Sequence, residues 1–272
     1  MSEFLENILT CIQKYGPSYL EGAGATIIIS LIGTIMGCVI GFAVGIVQTI
    51  PVNPGDSTAK KILLKIANVI LKIYVEVFRG TPMIVQSVFI YYGARIMFGF
   101  QFGMWEAAFF IVSINTGAYM AETVRGGILS IDPGQTEGAM AIGMNHWQTM
   151  TSVIIPQAFR NIIPQIGNNL IINIKDTSVL SVISVTDLFF VHKSVVGALY
   201  LYFESATITM IIYLTLTVTA SFLLRKLEDK LDGDDNYDLA TTDTLAYTSG
   251  MMSFKKKKIV TEHGLEEEYK NV

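Results

Sequence analysis

From Gly22 to Gly55 the chain carries no acidic, basic or imidazole side chain, and none appears again from Ser205 to Leu224. As helix, about 20 residues cross the hydrocarbon of a bilayer. Only helices and closed barrels satisfy their own backbone there, because lipid offers no hydrogen-bonding partner. A barrel strand alternates lipid-facing and lumen-facing residues with a period of two, and no such alternation is present. The expected fold class is therefore an all-α membrane protein. Composition agrees: 51% of residues are hydrophobic and 15% charged, where a soluble domain carries about 25% charged residues. The net charge of −4 says little about partners, because the acidic residues are concentrated beyond Arg225.

Hydropathy predicts about five spans, at 23–50, 80–98, 105–124, 162–189 and 206–224, the fourth interrupted by Lys175-Asp176. The N-terminal segment 1–22 holds Glu3, Glu6 and Lys14 and lacks the basic start and short apolar core of a cleaved signal peptide, so the first span is expected to be retained. Cys11 and Cys38 lie far apart, with Cys38 inside the first span, and no disulfide is expected. Orientation follows from the basic residues. Lys60, Lys61, Lys65, Lys72 and Arg79 lie between spans one and two, and Arg225, Lys226 and Lys230 follow span five. That side is cytoplasmic, which places the N-terminus outside and the C-terminus and the 125–161 connection inside. The tail 226–272 reads as cytoplasmic and largely disordered, with a lysine run at 255–258.

Two patterns have more than one reading. Lys61, Lys65, Asn68, Lys72 and Glu76 recur at helical steps among apolar residues. This predicts an amphipathic helix over 60–78, suited to lying along the cytoplasmic interface. Gly33, Gly37, Gly41 and Gly45 share one face of the first span. Such a face lets helices approach closely, either within the chain or between subunits.

The connection after span three carries strong helix punctuation. Asp132 is a cap, Pro133 suits the first helical position, Gln135 completes a capping box, and Gly143 ends the helix. Asn145 with Gln148 three residues later starts a second helix, which Pro156 bends. A helix of this length is not stable alone. It packs either on this chain or on a partner.

Glu137-Gly138-Ala139, then Gly143, then Val153-x-Ile155-Pro156 resembles the permease signature of bacterial ABC importers, Glu-Ala-Ala, Gly and Ile-x-Leu-Pro at the same spacing. Gly138 departs from its alanine, and Val153 and Ile155 depart conservatively. Phe78-Arg79-Gly80-Thr81-Pro82 with Gln86 and Tyr91-Tyr92-Gly93, Ala121 to Ile128, and Lys175-Asp176-Thr177-Ser178 resemble the polar amino acid uptake subfamily. The resemblance implies a type I permease domain over 23–225. It also implies that the loop 132–158 docks on a separate ATPase through Glu137, Gly138, Ala139, Gly143 and Pro156. Implied partners are ATP-binding cassette subunits, an extracytoplasmic binding protein, and a second copy or a homologous permease, in a bacterial cytoplasmic membrane. ATP would bind to the ATPase, and no cofactor is implied for this chain.

Asn168, Asn169, Lys175, Asp176, Thr177 and Ser178 are the candidates for contact with solute, since ionisable and polar groups at membrane depth normally face the bundle interior or a wet cavity. Related permeases for cationic amino acids often carry a carboxylate where Asn169 stands, so an amide there favours an uncharged solute side chain. Catalytic and metal chemistry is not indicated. No phosphate-binding Gly-x-x-x-x-Gly-Lys-Ser/Thr loop occurs, and His146, His192 and His263 are too scattered for a metal cluster. Nothing points to nucleic acid. An ion-gradient-driven carrier is the alternative, but such carriers usually have repeated halves, which five spans do not provide.

Overall fold

A computed structural model describes residues 2–52 and 54–231, and every regular element among them is a helix. α1 is Ser2–Gln48, α2 Thr58–Gly80, α3 Met83–Phe98 and α4 Met104–Leu129. Two short helices follow, α5 Pro133–Ala141 and α6 His146–Thr149, then a π-helical turn Met150–Ile154 and α7 Ile155–Asp176. A 3-10 turn, Thr177–Ile183, leads to α8 Leu188–Leu199 and α9 Tyr202–Leu231.

The bundle is organised around α4. Gly33, Gly37, Gly41 and Gly45 of α1 meet Val112, Thr116, Met120 and Val124 in turn, so the two helices run parallel in constant register. A Cβ on Gly41 would lie 2.3 Å from Met120 Cβ and 2.8 Å from its carbonyl carbon. The glycine face is thus a packing face within the chain. α7 runs antiparallel to α4, with Asn173 on Thr116 and Ile162 on Gly127. Half the length of α4 is buried, while its charged residues Glu106 and Arg125 stay exposed and Glu122 half-buried.

Several sequence expectations are refined or corrected. The amphipathic helix forms as α2, and its C-terminal half packs on α4. Tyr74 Oη donates to Ile114 O at 2.6 Å, and Val75 is buried with Val44 and Ala121. The span expected at 80–98 corresponds to α3, 16 residues from Met83 to Phe98, and Thr81-Pro82 separates it from α2. The span expected at 162–189 ends as α-helix at Asp176, and α8 follows at an angle of 51° to the preceding helical stretch. On length and apolarity alone, α1 and α9 can cross a membrane, or three segments if that bent pair counts as one.

α1 is continuous from Ser2, its 47 residues extending the expected 23–50 span to about 70 Å, more than twice the hydrocarbon thickness. Its N-terminal part is fastened to α8 and α9: Phe4 on Phe203, Asn7 Nδ2 donating to Glu204 at 3.2 Å, and Tyr19 Oη bonded to Ser205 Oγ at 2.7 Å. α9 continues to Leu231, so the first residues of the predicted tail are helical. The rest of the tail, with its lysine run, lies outside the described residues.

Candidate docking loop and mid-membrane site

Local hydrogen bonds build the loop. Asp132 Oδ1 accepts from Gly134 N at 2.7 Å, and Pro133 opens α5 where its missing N–H costs nothing. The capping box expected from Gln135 is not formed. Gln135 Oε1 instead accepts from Gln157 Nε2 at 3.2 Å, which ties α5 to the start of α7. At the other end Gly143 adopts φ +87, Gly143 N donates to Met140 O at 3.0 Å and Met144 N to Ala139 O at 3.1 Å. That paired closure requires a left-handed residue, hence glycine. Asn145 and Gln148 do form a reciprocal box, at 2.9 and 3.0 Å. Pro156 follows the π-helical turn, which absorbs the backbone bond proline cannot make.

Glu137, Gly138, Gly143 and Pro156 are exposed, while Ala139 is buried. Met140, Ile142 and Trp147 are 50%, 77% and 73% exposed, giving the loop an apolar outer surface. α5 packs inward on α6 and the π-helical turn, and Gln135 joins it to α7.

The second region lies halfway along the helices. Thr116 is 12 residues from the start of α4 and 13 from its end, about 18 and 20 Å. Thr34 lies about as far from Gly22 as from Gln48 on α1. Both hydroxyls accept from Asn173 Nδ2, at 3.0 and 2.8 Å, and Asn173 is 4% exposed. The α2–α3 break lies beside this point. Gln86 Nε2 donates to Phe78 O and Thr81 O, each at 2.9 Å, and Asn115 Nδ2 donates to Gln86 Oε1 at 2.9 Å. Carbonyls released by Pro82 are thereby satisfied, as broken helices at membrane depth require. Arg79 forms an ion pair with Glu122 and lies 5.5 Å over the Tyr119 ring. The structure thus brings Arg79 of α2 and Glu122 of α4 together from distant parts of the sequence.

The predicted solute residues divide. Asn168, Lys175 and Asp176 are exposed, Asn169 and Ser178 half-buried, and Thr177 buried with its hydroxyl on Ile174 O at 3.1 Å. Asn169 Nδ2 donates to Gln165 O at 2.9 Å and contacts Met120 Sδ at 3.3 Å. Lys175 and Ser178 line a cavity of about 500 Å³ between α7, α8 and α9, with His192, Thr209, Tyr213 and Thr217. Gln157, Asn161, Gln165, Asn168 and Lys175 lie along one exposed face of α7, which is polar except at Ile172. Sequence reasoning missed Thr34, Asn115 and Thr116. The available signal was two adjacent polar residues, Asn115-Thr116, inside the apolar run of α4.

Two helices able to cross a membrane, a bent pair that makes a third, and buried polar contacts between helices define a membrane protein of the transport type. The chain belongs to the family of binding-protein-dependent transport system inner membrane components, which matches over residues 59–233. It is 37% identical over 216 residues to the glutamine transport system permease protein GlnP of Escherichia coli strain K12, covering 79% of this chain and 93% of that one. It is 33% identical over 219 residues to the arginine transport system permease protein ArtQ of Bacillus subtilis, covering 80% and 94%. Among solved structures, an amino acid ABC transporter with histidines superposes with TM-score 0.71 at 33% identity, covering 81% and 97% of the two chains. The inward-facing MetNI methionine ABC transporter shares the fold, with TM-score 0.60 at 23% identity over 78% and 93%.

Proposed function

We propose that this chain is the permease subunit of an ATP-driven importer of polar amino acids, set in a bacterial cytoplasmic membrane. The observation that carries the reading is the polar face of α7. Gln157, Asn161, Gln165, Asn168 and Lys175 are exposed along a helix that reaches mid-depth. Lipid does not solvate such a face, so it belongs against water or another polar surface. A second permease copy or a homologous permease opposite this face encloses a wet pathway.

The spans are α1, α2 with α3, α4, α7 with its 3-10 extension, and α9. Parallel packing of α1 and α4 supports a single broken crossing between them. The N-terminus is then outside, and the loop 132–158 is cytoplasmic. Its apolar surface suits a groove on an ATP-binding cassette subunit, which binds the nucleotide and drives the cycle. Glu137, Gly138, Ala139, Gly143 and Pro156 couple the two. An extracytoplasmic binding protein delivers the solute, which passes Asn168, Asn169, Lys175, Asp176, Thr177 and Ser178.

Asn169 presents an amide where a cationic side chain needs a carboxylate, because an unpaired cation is costly in a low-dielectric site. The solute is therefore an amino acid with a neutral polar side chain, such as glutamine. The test is competitive uptake into vesicles holding this permease, its ATPase and its binding protein. Glutamine should be taken up in preference to arginine, and Asn169→Glu should shift the preference towards arginine. Arginine preference in the unaltered complex overturns the role of Asn169. Uptake without ATP overturns the importer reading itself.

A further inference from the structure

Adjacent residues of α4 hold both helix breaks. Asn115 Nδ2 donates to Gln86 Oε1 at 2.9 Å and to Phe78 O at 3.3 Å, at the α2–α3 break. Thr116 exchanges hydrogen bonds with Asn173 at 3.0 and 3.2 Å, one turn before α7 gives way to the 3-10 turn at Thr177. Asn115 is 8% exposed and Thr116 2%.

Such an arrangement is not the default for this chain. The hydroxyls of Ser30, Thr207, Thr209, Thr215 and Ser221 each bond the carbonyl four residues earlier in their own helix. Thr34 and Thr116 instead meet Asn173 across the bundle. A polar contact between helices at this depth fixes relative position as well as satisfying its groups.

α7 is one helix from the end of the docking loop to the break, and Ile155 lies 18 residues from Asn173, about 27 Å. Pro164 removes one backbone bond on the way, but the helix continues through it, so Asn173 lies on the path of a displacement at the loop. From there Thr116 and its neighbour Asn115 lead directly to the other break. We propose that Asn115, Thr116 and Asn173 are positioning residues that make the two breaks move together, so that ATP-driven movement of α7 reaches the α2–α3 break. This rests on the permease reading above.

Coupling of this kind is measured, not inferred from adjacency. The complete transporter, with ATPase and binding protein in vesicles, is compared with Thr116→Val, Asn173→Leu and the double variant. Thr116→Val leaves Asn173 Oδ1 without its donor, and Asn173→Leu leaves Thr116 without its partner. The double replaces both with apolar groups and leaves only the Thr34 hydroxyl, which can turn to a carbonyl of its own helix as Ser30 does. The double variant should accumulate in the membrane and keep ATP hydrolysis stimulated by the loaded binding protein. Solute moved per ATP should fall about tenfold. A wild-type ratio at wild-type abundance shows that the contact only packs the bundle, and overturns the proposal. If the double variant does not accumulate, Thr116→Ser, which keeps the hydroxyl, is read against Thr116→Val. Serine should hold the wild-type ratio and valine lose it, and equal ratios overturn the proposal. Absence of ATP-dependent uptake in the unaltered complex would instead strike the permease reading.

Discussion

The docking loop and the mid-membrane network are held by opposite kinds of contact. In the loop, turns close on near neighbours: Asp132 on Gly134, Met144 on Ala139, Gln148 on Asn145. At mid-depth, hydrogen bonds join residues 29, 57 and 139 positions apart. Local turns thus set the shape of the loop's first half, while Met150, Ile154 and Ala158 at its far end are buried against Met120 and Val124 of α4. The network has no shape apart from the bundle, since each bond exists only while α1, α3, α4 and α7 hold their places.

The sharpest way to break the loop is at its left-handed turn. Gly143 has φ +87, and nothing lies within 4 Å of a Cβ built there. Gly143→Asp is therefore not crowded. Its penalty is the left-handed conformation, about 1 kcal/mol for a residue as tolerant as aspartate, plus a new charge on the docking surface. The expected outcome is loss of ATP hydrolysis stimulated by the loaded binding protein, with the permease at normal membrane abundance. Full stimulation would show that the movement enters elsewhere.

Breaking the bundle should look different. Gly41→Ala places a methyl 2.3 Å from Met120 Cβ and 2.9 Å from Ala121 N, so the backbones of α1 and α4 must separate. Overpacking of this kind costs about 1–3 kcal/mol. It should lower abundance and the temperature of aggregation in detergent. Gly24→Ala, on the same helix with nothing within 4 Å, is the matched control and should be neutral or stabilising. Equal effects of the two would mean that the register of α1 on α4 is not what holds the bundle.

The same contrast decides what could be read from sequence. Asp132, Gly143 and the Asn145–Gln148 pair were legible because their partners lie within a turn or two, where spacing alone fixes geometry. The glycine stripe was legible as a close-packing face, but not its partner, since α4 is more than 60 residues away. Lys175-Asp176 marked the end of α7 because charges in an apolar run signal an interruption. Thr34, Asn115 and Thr116 were not legible, because a hydroxyl or amide in a membrane helix usually bonds its own backbone. Only the fold shows which ones reach across. Gln135 failed for the related reason that a tertiary partner, Gln157, competed with the local cap.

The smallest expected effect tests whether the loop's order is local. Gly138 sits in α5, is exposed, and a Cβ there meets nothing within 4 Å. Gly138→Ala therefore adds no contact to the bundle and removes none. What it changes is helix propensity and the entropy of the open state, together worth about 1 kcal/mol. If α5 opens and closes on its own, that gain appears in the opening equilibrium as about fivefold slower amide exchange for Met140 and Ala141. Exchange at Asn173 and Thr116 should not move, because the mid-membrane network does not register the stability of α5. Transport should stay within about twofold of wild type, since the docking surface is unaltered. Unchanged exchange in α5 would mean that the π-helical turn and Gln157 hold it, and the loop would then belong with the bundle. Slower exchange in both regions would show that the loop and the network already form one cooperative unit in the absence of ATP.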